Sequence, residues 1–240
     1  ARKRDPRPGL EMPERLRAGI GRLQAVMFDL DGTLIDSIPT YFRIISAMLE
    51  HVGLPPAPRE AMSAALKNGL AGFEHLVPEE MGHRREELVD TLLRVGKRIS
   101  EQLYPGSVGL IAGVEDLFRR LAGKGIAIGI VSSSHREYVG RKLLPLKEAG
   151  IDALVDAIVV IEDTEEMKPS SEPVLACLER LGARAERSLF VGDADVDVLA
   201  GKRAGTFTAG VLTGVDDHGS LSAEEPDVIL PGVQDLIPLF

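Results

Sequence analysis

Ala25-Val26-Met27-Phe28-Asp29-Leu30-Asp31-Gly32-Thr33-Leu34 is the stretch from which the rest of the chain is read. Its four leading apolar residues form a short run of the kind buried on both faces of a parallel sheet. Two carboxylates, two residues apart, end the run, and in extended geometry both point the same way out of the strand. Carboxylates held that close repel unless one takes a proton or a cation joins them. The pattern suits a pair in which one group attacks and the other exchanges protons, with a hard cation balancing the charge. Gly32 lets the backbone turn sharply where a Cβ would crowd an incoming ligand.

Further along, short apolar runs recur: Ile126–Val131 ending in Ser132-Ser133-Ser134, Ala157–Ile161 ending in Glu162-Asp163, and Ser188–Val191 ending in Gly192-Asp193. Phe207–Val211 and Asp227–Leu230 follow. Helical periodicity fills the gaps, as at Val114, Leu117, Phe118 and Leu121 before Gly123 and Gly125, and at Val174, Leu175, Leu178 and Leu181 before Gly182. Strands alternating with helices predict a parallel sheet covered on both faces. Ligands of such open sheets bind beyond the carboxyl ends of the strands, where Asp29, Asp31, Ser132 and Asp193 would meet. From about Ser37 to Tyr104 the patterns are helical only, which reads as a helical insertion after the first strand.

Composition bounds the function. The chain has 240 residues, 44% of them hydrophobic, enough for a core without disulfide or metal staples. Cys177 is its one cysteine, so no intrachain disulfide forms. Residues 1–24 carry seven basic and three acidic groups, whereas the whole chain has a net charge of −9. The acidic body repels nucleic-acid phosphates, so no nucleic-acid partner is expected. The basic residues 1–24 read as an N-terminal extension, a solvated tail rather than a tether, and they lack the apolar stretch of a secretory signal. No run reaches the ~20 apolar residues of a membrane span, and the expected location is the cytoplasm. The five histidines show no zinc-site spacing; His135 is a candidate for reaching substrate.

The segment Asp29-Leu30-Asp31-Gly32-Thr33 resembles the first motif of the haloacid dehalogenase-like hydrolases, DxDGT after a hydrophobic strand. The family's other motifs stand in order: Ser132 for the second, Lys168 in Met167-Lys168-Pro169 for the third, and Gly192-Asp193-Ala194-Asp195-Val196-Asp197 for the fourth. The resemblance spans about Ala25 to Gly214. It implies a doubly wound, Rossmann-like α/β core over 25–36 and 105–240, with residues 37–104 as an inserted helical cap.

The same resemblance implies roles. Asp29 would be the nucleophile that forms an aspartyl-phosphate. Asp31 would protonate the leaving alcohol and then deprotonate the hydrolytic water. Mg²⁺ would be held by Asp29, the backbone carbonyl of Asp31, and Asp193. Ser132, with the neighbouring Ser133 N–H, would bind phosphoryl oxygens, Lys168 would neutralise charge on the transferring group, and Asp197 would orient Lys168 or stand behind the metal.

Retention of Asp31 disfavours a dehalogenase. The insertion resembles the caps of phosphoglycolate phosphatases and β-phosphoglucomutases, which close over small substrates. Asp31-Gly32-Thr33, where the mutases commonly carry Gly-Val, favours a phosphatase acting on a small phosphorylated metabolite. A mutase-type phosphotransferase and a phospho-acceptor that does not turn over remain the alternatives. Monomer and homodimer are equally compatible with the sequence.

Overall fold

The computed structural model describes residues 14–104 and 106–240. The chain divides into two compact units, Ala1–Asp36 with Leu110–Phe240, and Ser37–Gly109. The second unit therefore runs past Tyr104, although its last helix ends at Leu103, and the α/β unit resumes at Leu110 rather than at 105. Backbone pairing sets that boundary. Ser107 is tied to Tyr104 O by its hydroxyl at 2.7 Å, whereas the Ile111 N–H donates to Leu34 O at 2.9 Å.

Six strands make the α/β unit's sheet: β1 (Ala25–Phe28), β2 (Ala127–Val131), β3 (Ala157–Val159), β4 (Ser188–Gly192), β5 (Phe207–Val211) and β6 (Val228–Leu230). All neighbours are parallel, in the order β3-β2-β1-β4-β5-β6. The winding runs outward one way from β1 and the other way from β4, so the topological switch lies between those two strands. Phe28 is in register with Ile130 and Val191, which brings Asp29, Ser132 and Asp193 to the same carboxyl-terminal edge.

The helices among the described residues are α1 (Glu14–Ile20), α2 (Ile38–Val52), α3 (Arg59–Lys67), α4 (Gly69–Phe73), α5 (Arg85–Leu103), α6 (Val114–Gly123), α7 (Arg136–Lys142), α8 (Leu144–Glu148), α9 (Glu172–Leu181), α10 (Asp195–Ala204) and α11 (His218–Ala223). The central strand is buried on both faces because its neighbours in sequence alternate sides. Met27 packs with Phe190 and with Cys177 of α9. Phe28 points the other way and meets Phe118 of α6, with ring centroids 5.4 Å apart. A Cβ on Gly129 would lie 2.5 Å from Cys177 Sγ, so α9 can lie close on β2 only over a glycine. Cys177 is a core residue whose thiol burial pushes up to about 12.

Two sequence expectations are corrected. Residues 14–24 are part of the α/β unit, not of a separate extension. Leu16 is fully buried, a Cβ on Gly19 would sit 2.4 Å from the Phe207 ring, and Gln24 accepts the Ala127 N–H at 2.9 Å. Residues 1–13 lie outside the described residues. The third strand also ends early, at Val159, because Ile161–Asp163 coil into a single 3₁₀ turn. The Asp163 carboxylate accepts the Val160 N–H at 2.9 Å and receives Arg136 and Arg180, which holds that turn.

In the helical unit, Ile44, Ile45, Met48 and Leu49 of α2 share one core with Leu88, Val89 and Leu92 of α5. A Cβ at Gly96 would lie 2.8 Å from Met48 Cε, so a larger residue there would have to displace the end of that side chain. No helix among the described residues is long and apolar enough to cross a membrane.

The Phe28–Phe118 contact carries a stability prediction. Phe118→Ala should cost about 3–5 kcal/mol through lost burial and the cavity left behind. Urea unfolding should show a lower midpoint at an unchanged slope; a loss under ~1 kcal/mol would mean that α6 is not anchored there.

Candidate active site

The site is assembled from the carboxyl ends of β1, β2 and β4 and the loops that follow them. Asp29 leaves β1 with its N–H donated to Val191 O at 2.8 Å, so the nucleophile candidate is fixed by the sheet itself. Its side chain turns inward and is almost wholly buried. Lys168 lies against it: Nζ donates to Asp29 Oδ1 at 2.6 Å, to Asp197 Oδ1 at 2.6 Å and to Val131 O at 3.3 Å. All three ammonium protons are thus directed at oxygens.

Asp197 sits in the first turn of α10, and its other oxygen accepts the Ala194 N–H at 3.1 Å. That places it as an acidic cap of its own helix, favoured by the helix dipole. Gly192 makes the placement possible, because a Cβ there would fall 2.4 Å from the Asp197 carboxyl carbon. Asp193 is held from both sides, accepting from Thr33 Oγ1 at 2.8 Å and from the Val215 N–H at 2.9 Å. Gly214 and Gly32 crowd it closely; Gly32 has φ +85, and its Cβ would meet Asp193 Oδ2 at 2.7 Å. The glycine after the second Asp therefore serves both the left-handed turn and the close approach of Asp193.

Asp29, Asp193 and Asp197 each offer a carboxylate oxygen, all within 4.8 Å of one another. One ammonium faces three buried carboxylates, and the charge imbalance shows in their proton affinities. Burial pushes the Asp29 carboxyl up to about 7; Lys168 works against the rise, while Asp197 and Asp31 add to it. Asp193 is raised well above the carboxylate range by burial first and then by Asp29 and Asp197. Burial alone would lower Lys168, but Asp197 and Asp29 carry it above the ordinary lysine value. A hard divalent cation answers this imbalance, and an all-oxygen donor set suits Mg²⁺ or a similar ion rather than zinc.

Asp31 stands apart from that cluster. Its Oδ2 accepts from Lys142 Nζ at 2.5 Å and from Ser134 Oγ at 3.2 Å, and Lys142 also donates to Ser134 Oγ at 2.6 Å. Neither Lys142 nor Ser134 stands out in the sequence. Lys142 ends a short helix 111 residues from Asp31, and Ser134 is one of three consecutive serines. Of those three, Ser132 is buried and its Oγ accepts the Ser134 N–H at 3.2 Å, whereas Ser133 is exposed. His135 is also exposed, with Nδ1 3.0 Å from Glu162 Oε1.

Residues 26–211 match the family model described as haloacid dehalogenase-like hydrolase. Among similar proteins, a pyrophosphatase, PpaX, of Bacillus velezensis is 32% identical over 216 residues, covering 90% of this chain and 95% of the relative. A phosphoglycolate phosphatase of Yersinia pestis is 30% identical over 226 residues, covering 90% and 92%. In structure, a predicted phosphoglycolate phosphatase from Haemophilus somnus superimposes with a TM-score of 0.77 at 23% identity, covering 90% of this chain and 97% of that one. That likeness establishes the fold.

The raised Asp29 carboxyl predicts an unusual pH dependence. In EDTA, the folded protein keeps a proton on Asp29 that the unfolded chain gives up at about 4. The stability that Asp29 contributes is therefore full below about 4 and is lost as pH rises from there through about 7. Asp29→Asn should flatten that decline in thermal melts between pH 5 and 8. Equal slopes in wild type and variant would show that Asp29 does not titrate there.

Proposed function

The chain belongs to the haloacid dehalogenase-like hydrolases, and from that premise we propose that it is a Mg²⁺-dependent phosphatase releasing phosphate from a small phosphomonoester through an aspartyl-phosphate on Asp29. The observation that carries this reading is Lys168 joined at 2.6 Å to both Asp29 and Asp197, with Asp193 beside them. A nucleophilic carboxylate needs its charge met on one side while the other side faces phosphorus, and this arrangement supplies that.

Asp29 and Asp193, with the backbone carbonyl of Asp31, would hold the metal; Asp197 is already engaged by Lys168 and Ala194 and serves to orient that lysine. When bound, the cation supplies charge neutralisation at the phosphoryl oxygens. An Asp29 carboxylate oxygen forms a bond to phosphorus as the ester P–O bond breaks. Asp31 gives its proton to the departing oxygen. It then takes a proton from the water that attacks phosphorus, which frees inorganic phosphate and restores the Asp29 carboxylate. Ser132 and the Ser133 N–H bind phosphoryl oxygens, while Lys168 stabilises the negative charge that spreads over them.

The relatives' names point to phosphoglycolate and pyrophosphate. Both carry a second anionic group beyond the phosphoryl that is transferred. Phosphoglycolate is the first substrate to test, and pyrophosphate the second, favoured by the 32% identity to a pyrophosphatase.

Phosphate release should be measured from phosphoglycolate, pyrophosphate, sugar phosphates and nucleotides with Mg²⁺. Release from a small member of the panel should disappear in EDTA and fall at least ~10³-fold in Asp29→Asn, as expected for loss of a covalent nucleophile. Isomerisation of a glucose phosphate without release would make the protein a mutase. Stable labelling at Asp29 by acetyl phosphate, without turnover, would make it a phospho-acceptor.

A further inference from the structure

Lys142 is a buried lysine, 7% exposed, whose ammonium meets Asp31 Oδ2 at 2.5 Å and Ser134 Oγ at 2.6 Å. Burying an ammonium is costly unless it is paired and hydrogen-bonded. Packing alone would be met at this position of α7 by a leucine or methionine. What the charge adds includes an ion pair to Asp31 and a hydrogen bond to Ser134, side chains at the end of the sheet. Ser134 completes a triangle, accepting from Lys142 and donating to the same Asp31 oxygen at 3.2 Å.

Asp31 needs such a tether. Its side chain is 20% exposed, against 11% for Asp29 and 3% for Asp197. It is followed by Gly32 in the left-handed region, where the backbone has turned away from the strand. Proton exchange requires the acid within about 2.6–3.2 Å of the oxygen it serves, so a carboxyl that swings between rotamers is a poor acid. The Asp29 side of the site has its own lysine; Lys142 is the counterpart on the Asp31 side.

We propose that Lys142, together with Ser134, is a positioning residue that holds the Asp31 carboxyl toward the leaving-group oxygen of the substrate. The inference rests on the reading of Asp31 as the proton carrier of a phosphatase. It reaches beyond that reading by assigning a role to a residue outside the four motifs. Lys142 acts through Asp31, so its removal should hurt most where the leaving group needs a proton.

The test compares an alkyl phosphate, the one that wild type turns over fastest, with p-nitrophenyl phosphate, whose aryl oxide leaves without protonation. The quantity is kcat/KM, which reports the steps through formation of the aspartyl-phosphate. Lys142→Met should lower it at least ~10-fold more on the alkyl ester than on the aryl ester. Lys142→Arg should recover much of that difference, because a cation is restored. Ser134→Ala should shift the same ratio in the same direction by a smaller factor, and it serves as the readout if Lys142→Met melts below the assay temperature. Equal losses on both esters, or no loss, would overturn the positioning role and leave the phosphatase reading standing. Wild-type protein that turns over no alkyl phosphate, whether or not it hydrolyses pyrophosphate, would remove the phosphomonoester reading, and this inference with it.

Discussion

One lysine among three buried carboxylates is the constraint on which the rest of the structure depends. Lys168 satisfies Asp29 and Asp197, and the remaining negative charge is left in a place that water hardly reaches. Such an arrangement costs stability, since burial disfavours the charged form of Asp29 and Asp193. A fold that keeps it must hold the groups rigidly from elsewhere. Here the holding is done by sheet hydrogen bonds on the Asp29 backbone, by the first turn of α10 under Asp197, and by Thr33 and Val215 on Asp193.

The open parallel sheet makes that possible at small local cost. Its two halves wind away from each other between β1 and β4, the switch point at which open sheets of this kind place their ligands. Register aligns Phe28 with Ile130 and Val191, so residues far apart in sequence arrive at one level. Close approach then depends on missing side chains: Gly192 opposite Asp197, and Gly32 and Gly214 opposite Asp193. At each of these positions a methyl group would collide with a carboxylate of the buried cluster.

Much of this was legible along the chain. Short apolar runs mark strands buried on both faces, and each of the six runs coincides with a strand of the sheet, to within a residue or two at its ends. The helix over Val114–Gly123 and the one over Glu172–Leu181 follow from the spacing of their apolar residues. Where the reading fell short, a contact at long range was responsible. Residues 14–24 look like a charged tail because their few apolar side chains, Leu16 and Leu23, carry little periodic signal; Phe207 and β2 make them part of the unit. The third strand looks longer than it is because Val160 and Ile161 are apolar, yet Asp163 with Arg136 and Arg180 turns the chain there.

The sequence by itself determined the fold class, the helical insertion after the first strand, and the residue types gathered at the strand ends. These are local matters, written in short continuous apolar runs, in the 3.6-residue helical period and in the turn residues that interrupt them. Tertiary structure alone decided which oxygen each cation meets. It set Lys168 between Asp29 and Asp197, chose Ser134 over Ser133 to face Asp31, and brought Lys142 from the end of α7 to the same carboxylate. Ion pairs of that kind depend on distances of a few ångströms between groups far apart in sequence, 111 residues for Lys142 and Asp31 and 139 for Lys168 and Asp29. No pattern along one chain encodes such distances, because they are fixed only when strand register and helix packing are complete.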